Sequence, residues 1–150
     1  MTDGDPRPEA TSDARSASDP AVPTQAEVDG RRLLSLDAAV AASKGLLAMG
    51  AAGSIGRSTR VPAGFVRVAG AAWTVWAGAS AVGAVAEDWQ SPLRRAVAVN
   101  VGSGAALLGL VVARGGRGGR FALGLASVQA GALALVQVRT LVRAQGPIVA

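Results

Sequence analysis

Asp37 and Lys44 are the two residues whose types and positions could do chemistry, because both interrupt an otherwise apolar stretch over residues 33–56. Seven residues apart, they fall near one helical stripe with Ala41 and Ala48. An acid and a base in such a stretch would either serve proton or substrate transfer or be satisfied by neighbouring side chains. The second reading is favoured. Asp37 stands only five residues, about 7.5 Å of helix, past Arg32. Asn100 stands five past Arg95, so Asp37 and Asn100 are expected at one depth and within hydrogen-bonding reach of each other. Lys44 lies twelve residues beyond Arg32, Trp76 eleven before Glu87 and Gln129 ten before Arg139. That count puts these three near a common level, where an indole face and an amide oxygen would stabilise the ammonium. Trp73, one turn deeper, would seal the layer. The competing expectation is that Lys44 snorkels toward Arg31 and Arg32 and touches neither. The candidate polar layer is thus Asp37, Lys44, Trp76, Asn100 and Gln129.

Other chemistries are excluded by composition. The chain has no Cys, His or Tyr, which removes thiolate catalysis, imidazole acid–base work and Cys/His metal sites. Beyond residue 30 the only acids are Asp37, Glu87 and Asp88, too few for a carboxylate cage or a general acid–base pair. No catalytic residue, cofactor or metal is therefore expected, and the chain reads as a non-enzyme. The Arg- and Gly-rich segment from Arg114 to Arg120 resembles an RNA-binding repeat, but between two apolar runs it reads as a cationic loop at lipid headgroups. No nucleic-acid partner is expected.

The elements that must position these residues follow from where charge is missing. Residues 68–86, 96–113 and 121–138 contain no Asp, Glu, Lys or Arg. Runs of that length cross the hydrocarbon of a bilayer as helices, and soluble helices need a polar face that these lack. With residues 33–56 as a weaker first span, the expected fold is all-α, a four-helix transmembrane bundle preceded by a disordered N-terminal tail. Full crossing is preferred for that first span over an oblique interfacial segment. Residues 1–30 carry seven acids against two Arg and no aromatic, so they are expected to be disordered. No apolar stretch precedes Leu33, which predicts a retained tail and a first span that acts as the insertion signal. Residues 144–150 form a short C-terminal tail.

The remaining thirteen bases face three acids, and their expected partners are the bilayer and its anionic headgroups. Flanking Arg residues divide six against six between the two sides, so they do not set the orientation. Four spans put both termini on one side, with a lean toward the cytoplasm. Small residues recur every fourth position at Gly70, Thr74 and Gly78 and at Ala122, Ala126, Ala130 and Ala134. Such ladders let helices approach closely, within one chain or in a homo-oligomer. Arg31–Arg32, Asp37 and Arg57 match Arg94–Arg95, Asn100 and Arg120 at a constant offset of 63, as two duplicated hairpins or two similarly bounded ones would.

Three segments resemble a family of small, uncharacterised bacterial membrane proteins with four predicted transmembrane helices. They are residues 33–38 (Leu-Leu-Ser-Leu-Asp-Ala), Ala98-Val99-Asn100 with Leu107-Leu108, and Ala122-Leu123-Gly124 with Gln129-Ala130. The likeness covers roughly residues 31–143. Where family members have an aromatic soon after the Asn, this chain has Gly102-Ser103-Gly104, which implies closer packing. The resemblance implies architecture and no chemistry. The expected function is a structural, regulatory or assembly role in the cell membrane. The alternative is an oligomeric minimal transporter or channel using Asp37 and Lys44.

Overall fold

The computed structural model describes residues 22–114 and 117–146. Five helices occur in it: α1 (Gln25–Gly50), α2 (Ala52–Thr59), α3 (Ala63–Val85), α4 (Gln90–Arg114) and α5 (Arg117–Ala144). Most of the expected N-terminal tail, residues 1–21, lies outside the described residues, as does the end of the C-terminal tail, residues 147–150.

All four long helices start before the stretches read from sequence, and α4 and α5 also end beyond them. The tail was expected to reach residue 30, yet α1 already begins at Gln25, because Thr24 accepts a hydrogen bond from the Glu27 N–H at 3.2 Å. Thr24 and Glu27 have the Thr-x-x-Glu spacing of a helix start. Glu27 in turn holds Arg31 in an ion pair at 2.9 Å, and Arg31 donates to the Ala84 carbonyl near the C-terminus of α3. At the start of α4, Asp88 caps the helix by accepting from the N–H groups of Gln90 and Ser91. α4 runs through Arg114 and α5 starts at Arg117, so the expected loop of 114–120 is helical at 114 and 117–120, while residues 115–116 lie outside the described residues. α5 continues past Arg139 and Arg143. Arg favours helix, so it ends an apolar run without ending the helix.

The first span departs most from expectation. Instead of one helix over 33–56, α1 breaks at Ala51 and α2 carries the chain to Thr59. The break is slight, since Ala51 N–H still reaches the Leu47 carbonyl and Ile55 N–H the Ala51 carbonyl. Gly50 and Gly53 flank it, and glycine weakens a helix interior. Arg60 then ends α2 in the left-handed region at φ 58°, and Pro62 precedes α3.

α1 packs along α3 and α4 along α5, giving two hairpins that meet through α1. At one end the core is Leu34, Ala84, Trp89, Leu93 and Ala96. Trp89 is buried, with its ring on Gly30 where a Cβ would collide with it. α1 and α3 touch most closely at Gly45 and Gly70. A Cβ on Gly45 would stand 2.8 Å from the Gly70 carbonyl, and one on Gly70 would stand 2.9 Å from the Gly45 carbonyl. The expected ladder on α3 holds at Gly70 but fails at Gly78, which faces open space. The buried face runs instead through Gly70, Ala77 and Ala84, steps of seven that follow a left-handed crossing better than steps of four. On α5, Ala130 and Ala134 are buried and Gly104 of α4 rests against Ser127 and Ala130.

The outer surface is apolar. Val68, Val75, Val82, Val85, Leu108 and Val128 are all more than half exposed. Water would not tolerate such a continuous girdle, whereas lipid tails do. Among the described residues four helices are long and apolar enough to cross a membrane.

Candidate functional site

Where the hairpins meet, each of the four long helices contributes to one polar cluster. Asp37 of α1 is 2% exposed and Gln137 of α5 is fully buried. Asp37 Oδ2 accepts from Trp76 Nε1 and from Ser80 Oγ, both of α3 and both at 2.8 Å. Asp37 Oδ1 accepts from Asn100 Nδ2 of α4, also at 2.8 Å. The same Asn100 amide donates to Gln137 Oε1 at 3.2 Å. Trp76 and Ser80 are four apart on one helical stripe, which aims both at the same oxygen.

A carboxylate only accepts, and here three neutral donors converge on it. Asn100 has two amide hydrogens and uses one on each neighbour, so it couples α1 to α5 through α4. Among the described residues the one fully buried side-chain donor without a hydrogen-bond partner is Gln137 Nε2. Among the described residues no cation forms an ion pair with Asp37. The arrangement is chemically a knot of hydrogen bonds that ties four helices at a single level.

Of the five residues read from sequence, Asp37, Trp76 and Asn100 come together. Lys44 and Gln129 do not join them. Lys44 Nζ lies 5.2 Å from the centre of the Trp73 ring, so its aromatic partner is Trp73 and not Trp76, whose N–H is committed to Asp37. Gln129 is exposed and shares a surface groove with Ser43 and Lys44. Counting from the Arg boundaries gives height along a helix but not direction around it. Gln129 lies beside the exposed Val128, while Gln137 lies on the buried stripe of Ala130 and Ala134. Ser80 and Gln137 are the two members that sequence reasoning missed. Their signal is spacing: Ser80 is four beyond Trp76, and Gln137 is seven beyond Ala130.

A second polar tie lies deeper, where Ser127 Oγ donates to the Gly104 carbonyl at 2.9 Å. Helix–helix hydrogen bonds in membranes average about 0.6 kcal/mol. Ser127→Ala should therefore cost about that much in reversible unfolding of the reconstituted protein. Gln137→Leu should cost little more, because it removes an orphaned amide nitrogen together with one long hydrogen bond. A loss for Ser127→Ala as large as that for removing Asp37 would contradict this ranking.

Comparison with known proteins returns no matching family model, curated protein or solved structure. The four-span architecture stands on the helices themselves, and membership of the bacterial family that the short motifs resemble is not shown.

Proposed function

We propose that this is a multi-pass integral protein of the cell membrane with a non-enzymatic structural, regulatory or assembly role. The observation that carries the reading is the enclosure of Asp37. A carrier would need its acid to face water or substrate for part of a cycle, whereas a scaffold needs it closed by neighbouring helices. Trp76, Ser80 and Asn100 close it. The alternative of an oligomeric transporter using Asp37 and Lys44 fits less well, because the two residues sit in separate surroundings. In this reading the flanking Arg residues rest among anionic headgroups, and the acidic segment 1–21 is the contact offered to a soluble or membrane partner. Both termini lie on the cytoplasmic side, and self-association is compatible with the Ala- and Gly-rich surfaces.

Proteoliposomes carrying a pH-sensitive dye test the role. Under an imposed potential the protein should pass no more protons than empty vesicles, and Asp37→Asn should change nothing. A flux that the substitution abolishes would overturn the scaffold reading in favour of the carrier. Tags at both termini should be accessible only from the cytoplasm.

A further inference from the structure

On the far side of the polar cluster, the two hairpins line a half-open cavity of about 410 Å³. All five helices line it, through residues such as Leu47, Ile55, Ala69, Leu107 and Leu123. Its volume falls in the range of small-molecule sites, roughly 300–1,000 Å³. The wall is almost wholly apolar. Thr59 is one polar exception, but its hydroxyl is committed to the Ile55 carbonyl at 2.7 Å. Lys44 is the other.

The Lys44 ammonium sits on the cavity wall over the Trp73 ring. Among the described residues no carboxylate lies within ion-pairing distance of it, because Asp37 is held by three neutral donors and the single ion pair joins Arg31 to Glu27. A cation in an apolar, membrane-embedded wall is costly, and a ring face offsets only part of that cost. The missing partner is an anion, and the space beside it takes a hydrocarbon chain. One ammonium matches one monovalent head, whereas a phosphate would call for more donors than the wall offers. A route also exists: Lys44 and Leu47 line both the cavity and the outer groove between α1 and α5, where Ser43 and Gln129 supply polar edges.

We propose that the cavity binds a single-chain carboxylate amphiphile, with its head on Lys44 and its chain between the hairpins. Lys44 shares no hydrogen bond with the Asp37 cluster, and the proposal does not rest on the role assigned to the bundle. Brominated dodecanoic acid and the matching brominated dodecanol, titrated into the protein in phosphatidylcholine nanodiscs, provide the test through quenching of Trp73 fluorescence. The acid should quench saturably, at a concentration at least about tenfold below that of the alcohol, as a charge-assisted contact implies. Lys44→Met should bring the two curves together, and Lys44→Arg should keep them apart. Ala69→Leu, which narrows the cavity, should weaken both. Equal or unsaturable quenching by acid and alcohol in the unaltered protein would overturn the proposal, and so would a preference that survives Lys44→Met. The comparison in the unaltered protein decides even if Lys44→Met does not fold.

Discussion

Asp37→Ala should destabilise the assembled bundle by about 2–4 kcal/mol, the largest loss of any single polar substitution in the chain. The cost of placing a carboxylate in a bilayer is borne by packed and separated helices alike, so it largely cancels. What does not cancel is the set of three bonds from Trp76, Ser80 and Asn100, whose donors would face an apolar void. Each bond is worth about 0.6 kcal/mol on average and rarely above about 1.7 in a membrane, which sets the lower part of the range. The cavity left by the side chain adds the rest. Reversible unfolding in mixed micelles or by steric trapping would measure it. A double-mutant cycle with Asn100→Ala should show coupling, since the two residues share one bond and one network. Additive losses would mean that the contact carries no energy.

Gly45→Leu should cost as much by a different route. Its new Cβ would stand 2.5 Å from Thr74 Oγ1 and 2.8 Å from the Gly70 carbonyl, and the latter is backbone that cannot rotate aside. α1 and α3 would have to separate along the longest interface in the molecule. Overpacking commonly costs about 1–3 kcal/mol, and a backbone obstacle puts this case at the upper end. Gly78→Leu is the control, because a side chain there meets open space. The first variant should lose stability and the second should not. Similar behaviour of the two would remove the α1–α3 contact from the account.

These contrasts show what the sequence made legible. Three uncharged runs and the weaker stretch over 33–56 point to the four membrane-length helices, because lipid tolerates few charges, and the repeated Arg pairs put Asp37 and Asn100 at one height, where they do meet. Height was the readable coordinate. Direction around the helix was not, which is why Gln129 was grouped with Lys44 and Trp76, while Ser80 and Gln137 went unnoticed. In an Ala- and Gly-rich chain the inner and outer faces of a helix are almost equally apolar, so amphipathicity gives no bearing. Helix ends are equally hard to read. Thr24 and Glu27 start α1 inside a segment whose acidic composition resembles a disordered tail, and Arg, a helix former, ends an apolar run without ending its helix.

Reaction with a hydrophobic carbodiimide in native membranes probes the enclosure of Asp37 most directly, read as mass added at that residue from mildly acid to mildly alkaline pH. A carboxylate closed by Trp76, Ser80 and Asn100 should stay unmodified throughout and become reactive only when the bundle is unfolded. Labelling of Asp37 in the folded protein, rising toward acid pH, would show a proton-binding group open to its surroundings and would contradict the account.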